Sequence, residues 1–177
     1  VSQVAPAASK DDVTPVITGV LLDVKGSQLL MTATDRYRVA AKELSWSSDN
    51  EDENALKALV PSKTLSEIGK TFSGEQSISL SISTGGDREL VAFSSGSKTV
   101  TSLLIKGSFP PVNKLFPEAN ENYAVVNTQE VIEATRRVAL VLEREAPLRY
   151  SFLEEGLSME ALGNDQSQAS EMVDHNL

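Results

Sequence analysis

Two stretches of this chain carry the same arrangement: VTPVITGVLLDVKGSQLLMTATD at residues 13–35 and APLRYSFLEEGLSMEALGND at residues 146–165. Each runs from an apolar segment through a polar turn into a second apolar segment, which is the pattern of a β-hairpin. Gly26 and Gly156 stand 130 positions apart, as do Asp35 and Asp165, and Val20 and Leu22 meet Tyr150 and Phe152 at the same spacing. A helix is expected before each stretch, one ending near Ser9 (VSQVAPAAS) and one ending near Glu145. The recurrence predicts one folding unit used twice. Chance is the alternative, because helix–strand–turn–strand is a common succession.

Working outward, short strands are expected over residues 16–24, 28–34 and 37–44, with turns at Lys25-Gly26 and near Asp35-Arg36. Residues 76–83 alternate: Ile78, Leu80 and Ile82 fall on one side, Ser77, Ser79 and Ser81 on the other. A period of two marks a half-buried strand. Turns at residues 84–87 and 95–97 lead into strands over 89–94 and 99–105, giving an antiparallel meander. Residues 62–72 predict a helix with Ser62 as N-cap, Leu65, Ile68 and Phe72 on one face, and Gly74 as a stop. Residues 127–145 predict a longer one, with Asn127 and Glu130 as a capping box and Val131, Ile132, Thr135, Val138, Ala139 and Leu142 at helical spacing. Phe109-Pro110-Pro111 and Phe116-Pro117-Glu118 bracket a proline-rich crossing where sheets must end. The domain boundary is therefore placed near residue 118, dividing the chain into 1–118 and 119–177, and the fold class is α+β.

The 177 residues include no cysteine, so disulfides, thiolate metal sites and a cysteine nucleophile are excluded. No apolar run reaches the ~20 residues of a membrane helix and no leader pattern opens the chain, so a reducing, cytoplasmic setting is expected. The formal net charge of −9 disfavours a groove-reading DNA binder, although Asp49, Glu51, Asp52 and Glu53 concentrate part of it in one acidic run. His175 is the sole histidine, two residues from the end, where a chain is commonly mobile. Gly85-Gly86 and Gly96 fall between strands rather than before helices. Adjacent carboxylates such as Asp11-Asp12 and Glu154-Glu155 diverge on a strand. No catalytic, metal or cofactor site is expected, and a hydrolase built on scattered carboxylates has nothing specific in its favour.

ATDRYRVA at residues 33–40 places two arginines and a tyrosine at a turn between apolar strands. Alone it is a polar hairpin tip. Together with PVITGV (15–20), VPSKTL (60–65), KGSFP followed by LFP (106–110, 115–117) and RRVALV (136–141), it resembles in order and spacing the bacterial DNA sliding clamp, the beta subunit of DNA polymerase III. That family has three copies of a domain with two helices on antiparallel sheet, and two chains close into a ring around duplex DNA. The resemblance implies that residues 1–118 are most of the middle domain and 119–177 the first half of the last.

It further implies a processivity factor with no cofactor, partnered by double-stranded DNA, a second copy of itself, and the polymerase, clamp loader and repair proteins through short Leu- and Phe-containing peptides. Candidate DNA-facing residues are Lys10, Lys63, Arg136 and Arg137; the alternative for Arg137 is a surface ion pair with Glu133. Candidate peptide-binding residues are Ile17, Thr34, Arg36, Tyr37, Arg38, Val39, Pro110, Lys114 and Leu115. Ile17, Val39, Pro110 and Leu115 would form apolar walls, and Arg38 and Lys114 rim donors; plain core packing is the alternative for Ile17, Val39 and Leu115. Arg36-Tyr37 stands where many members have Gly-His, which changes the pocket's shape. The competing class is a β-rich interaction module unrelated to DNA.

Overall fold

The computed structural model describes residues 1–47, 56–83, 88–116, 122–142, 146–162 and 167–176. The acidic run at 49–53, the turn at 84–87, Glu118, Arg144, Glu145 and Asp165 lie outside them. The chain divides into two compact units, Val1–Leu115 and Phe116–Leu177.

In the first unit, strands β1 (Gly19–Lys25), β2 (Gln28–Thr34), β3 (Val39–Ser45) and β4 (Leu56–Pro61) form an antiparallel sheet of order β3-β2-β1-β4. Val20, Leu22 and Val24 point inward from β1 and are buried, as strand alternation requires. Helix α1 (Ser62–Thr71) closes that face with Leu65, Ile68 and Phe72, each no more than 3% exposed. Ser62 is not the N-cap. Pro61 still pairs with Gly19 in the sheet, so β4 turns directly into the helix and Ser62 enters it as the first residue, with no capping bond from the Pro61 side chain. Strands β5 (Ser79–Ser83), β6 (Leu90–Ser95) and β7 (Lys98–Leu103) form a second antiparallel sheet. Leu80 and Ile82 pack on the same core while the serines between them are exposed. Ile78 precedes the strand and is exposed.

Further segments of the first unit differ from the sequence reading. VSQVAPAAS forms only a short 3-10 turn at Ala5–Ala7, with Pro6 inside it. Residues 16–18 belong to another 3-10 turn, Pro15–Thr18, rather than to β1. Pro15 presets a helical φ, and the Thr18 hydroxyl donates to the Pro15 carbonyl at 2.7 Å. Tyr37 and Arg38 lie in the loop before β3, because Thr34 and Val39 are the last pair of that hairpin.

In the second unit, β9 (Leu148–Leu153), β10 (Gly156–Leu162) and β11 (Gln168–Val173) form an antiparallel sheet of order β11-β10-β9, and β8 (Val125–Val126) pairs with β12 (His175–Asn176). Helix α2 (Thr128–Val138) buries Ala134 and Val138 against Leu157, Met159 and Ala161. Asn127 is its N-cap, its Oδ1 accepting from the Gln129 and Glu130 amides at 3.0 and 3.2 Å. The helix is shorter than expected: Ala139–Val141 tightens to 3-10 and Leu142 is extended. His175 is not in a loose tail. It pairs with Val126, and its Nε2–H donates to the Leu153 carbonyl at 2.6 Å.

The two units repeat a helical segment followed by an antiparallel β-β-β succession, but the register is not the one read from the glycines. The first hairpin closes at Lys25 and Gln28, the second at Leu153 and Gly156, a spacing of 128 rather than 130. Gly26 occupies a turn with φ +55°, whereas Gly156 opens β10, where a Cβ would come within 2.8 Å of the Val173 carbonyl. The shift is even, so the buried Met31 and Ala33 of β2 correspond to the buried Met159 and Ala161 of β10, whereas Leu22 and Val24 of β1 correspond to the exposed Tyr150 and Phe152 of β9.

Candidate functional site

The Ser9 amide donates to the Ile17 carbonyl at 2.9 Å, closing residues 9–17 into a loop. Its inner side faces the β2–β3 loop, residues 35–38, across a cavity of about 430 Å³. Both walls come from the first unit.

The 35–38 loop is fixed by its own side chains. Asp35 Oδ1 accepts the Tyr37 and Arg38 amides at 3.1 and 3.0 Å, and Oδ2 accepts Arg38 Nε at 2.9 Å. Thr34, buried behind the loop, donates its hydroxyl to the Arg38 carbonyl and accepts the Arg36 amide. Desolvation works to raise the Asp35 pKa, but the Arg38 amide, the Arg38 guanidinium and the Tyr37 amide outweigh it and hold the carboxyl below its usual range. These bonds hold Arg36 at φ +80°, a left-handed conformation that costs a non-glycine residue about 1–2 kcal/mol. From there its guanidinium reaches the Thr14 hydroxyl on the opposite wall.

Of the nine expected peptide-binding residues, Ile17, Arg36, Tyr37 and Arg38 line this cavity. Ile17 forms part of its buried floor and Tyr37, 96% exposed, stands at its lip. Thr34 acts from behind, as a positioning group. Val39, Pro110, Lys114 and Leu115 do not line it, and Leu115 is 65% exposed. Arg38 is not a free rim donor: besides Asp35, it donates from Nη2 to the Pro6 carbonyl at 2.7 Å, so it ties the loop to the N-terminal turn. Sequence reasoning missed Ser9, Asp11 and Thr14. The available signal was Pro15, whose fixed φ starts the Pro15–Thr18 turn that ends this loop.

The expected DNA-facing set does not act alike. Lys10 lines the same cavity as Arg36. Lys63 is exposed on the first turn of α1 and Arg136 on α2, and among the described residues neither is in an ion pair. Arg137 is engaged: it forms a bidentate pair with Glu171, one bond being 3.0 Å, and approaches Glu133 at 4.0 Å. The hydrogen bond to Glu171 raises the Arg137 pKa and lowers that of Glu171. The ion-pair alternative therefore holds for Arg137, with Glu171 as the nearer partner. No cluster of His, Asp or Glu suited to a metal ion occurs among the described residues, and none of their helices is long and apolar enough to cross a membrane.

The family model for the DNA polymerase III beta subunit, central domain, matches residues 1–111, and the one for its C-terminal domain matches residues 113–177. The chain belongs to the DNA polymerase III beta subunit family. It is 40% identical to the beta sliding clamp of Streptomyces coelicolor over all of its own length and 47% of that protein's. It is also 40% identical to the beta sliding clamp of Micrococcus luteus, over 98% of this chain and 55% of the relative. Among solved structures it resembles the Pseudomonas aeruginosa sliding clamp bound to griselimycin, with a TM-score of 0.82 at 26% identity over 99% of this chain and 47% of that one. The chain thus spans about half the length of the curated relatives it matches. The sliding-clamp fold accounts for the α+β architecture, and membership in this family displaces the alternative of an unrelated β-rich module.

Proposed function

We propose that this chain is part of a processivity clamp of a replicative DNA polymerase, with residues 1–118 as most of the middle domain and 119–177 as the first half of the last. The whole protein would encircle duplex DNA as a homodimeric ring and tether polymerase, clamp loader and repair proteins by short peptides. It does this without catalysis. The observation that carries the peptide role is the cavity between residues 9–17 and 35–38, whose loop is braced from within by Thr34, Asp35 and Arg38. A preorganised receptor spends less binding energy on ordering itself. Each partner Leu or Phe buried there would contribute roughly 1.5–3 kcal/mol before entropic costs.

The DNA role needs weak, sequence-independent attraction, since a clamp must slide. A chain of net charge −9, in which Lys63 and Arg136 are the cations of α1 and α2 without an ion pair among the described residues, suits that requirement. Lys63 and Arg136 are the proposed DNA-facing cations; Arg137, held by Glu171, is a weaker contributor. The test is retention on DNA. Full-length protein loaded on nicked circular DNA should stay bound and should leave the same DNA within minutes of linearisation. Equal retention on both forms would remove the topological reading.

A further inference from the structure

The cavity between residues 9–17 and 35–38 carries a local charge opposite to that of the chain. Three cations, Lys10, Arg36 and Arg38, line it against two carboxylates, Asp11 and Asp35, within a chain of formal net charge −9. Those charges are not equally available. Asp35 and Arg38 neutralise one another at 2.9 Å. Asp11 spends one carboxylate oxygen on the Val13 amide at 3.0 Å. Lys10 and Arg36 are both exposed, and neither is in an ion pair among the described residues. Among the described residues, the Arg36 guanidinium hydrogen-bonds to the neutral Thr14 hydroxyl across the cavity mouth. A neutral hydroxyl is a weaker partner for a guanidinium than a carboxylate, which accepts two parallel N–H bonds.

We infer that Arg36, assisted by Lys10, is a specificity-determining residue that selects partner peptides with an acidic residue flanking their apolar anchors. This rests on the reading of the cavity as a peptide-binding site and adds the chemistry of its preferred occupant. On binding, the peptide carboxylate takes the guanidinium from Thr14, and the mouth that Arg36 spans is opened by the ligand it selects. The left-handed backbone of Arg36 is what aims the side chain across the cavity. Thr34 and Asp35 hold that backbone in place through bonds that do not involve the guanidinium, so the side chain is free to change partner while the loop stays fixed.

The test uses the full-length protein and two synthetic peptides with the same Leu and Phe anchors, one with Asp on both flanks and one with Asn, which keeps size and removes charge. Calorimetric titration at low salt should give an Asp-over-Asn preference of about fivefold, the upper range for an exposed ion pair. The preference should shrink at high ionic strength, where exposed charges are screened. Arg36→Gln should reduce the ratio below twofold. Arg36→Gly, which suits the left-handed backbone, should do the same and guards against a loop disturbed by glutamine. Lys98→Gln, remote in sequence and paired with Glu75, should leave the ratio as it was. A fivefold ratio that persists in both Arg36 variants overturns the inference, as does equal affinity of the unaltered protein for the two peptides. Failure of both peptides to bind the unaltered protein removes the groove reading itself.

Discussion

Asp35→Ala tests whether the 35–38 loop is prebuilt by its own carboxylate. The substitution deletes acceptors for the Tyr37 amide, the Arg38 amide and Arg38 Nε, at 3.1, 3.0 and 2.9 Å. Charge-assisted bonds to backbone amides are worth more than neutral ones, but this side chain is 23% exposed and water replaces part of what is lost. The local cost is therefore about 1.4–2.8 kcal/mol, comparable to removing a good helix cap. By the same conversion, hydrogen exchange at the Tyr37 and Arg38 amides should accelerate about 10- to 100-fold. Exchange in the β1 and β4 strands should stay within about twofold, because the loss is a local opening. Asp35→Asn keeps one acceptor for the two amides but turns a donor toward Arg38 Nε, so it should fall between the two. The pH dependence has a definite sign. The folded pKa is lowered, so the stabilisation is fully present above the unfolded value near ~3.9 and is lost as pH falls through the folded pKa. Protection at these amides should be flat from pH 7 to 5 and decline below about 4, and the Asn variant should lack that decline. Exchange in Asp35→Ala that matches the parent within twofold would show that the loop is held by something else.

Two further outcomes follow from single contacts. Gly107 has φ +130°, and a Cβ there would lie 2.6 Å from Val16 Cγ1, so Gly107→Ala should destabilise the first unit by about 1–3 kcal/mol in chemical denaturation. Glu171→Gln should release Arg137 from its bidentate partner, and if Arg137 then reaches phosphate, the salt slope of DNA association of the full-length protein should steepen by about one.

Much of the fold was legible because its elements obey simple periods. The alternation of Leu80 and Ile82 with serine, and the 65–68–72 spacing along α1 and its C-cap, each mark the face that is buried. Proline-controlled detail was harder. Pro15 and Pro6 sit where short-range preference for a 3-10 turn overrides neighbouring apolar residues, so the strand began later and the N-terminal helix was only a turn. The repeat was legible in outline but misregistered by two, since the glycines that suggested it serve different purposes in the two hairpins. At the cavity, ATDRYRVA marked one wall. The opposite wall, with Lys10 and Thr14, depends on the Ser9–Ile17 closure, a hydrogen bond across eight residues whose one sequence signal is Pro15.

The same distinction governs how the charges should be read. Composition counts Arg137 and Arg38 as cations equal to Lys10, Arg36 and Arg136, yet the fold commits the first two to Glu171 and Asp35. What remains to attract a polyanion from the described helices is sparse, and what remains at the cavity is concentrated at one mouth. A clamp of the proposed kind needs both conditions at once: weak hold on a partner that must slide, and selective hold on a peptide that must stay. Net charge alone can satisfy neither, because it sums over groups whose fields are already spent on a neighbour a few ångströms away.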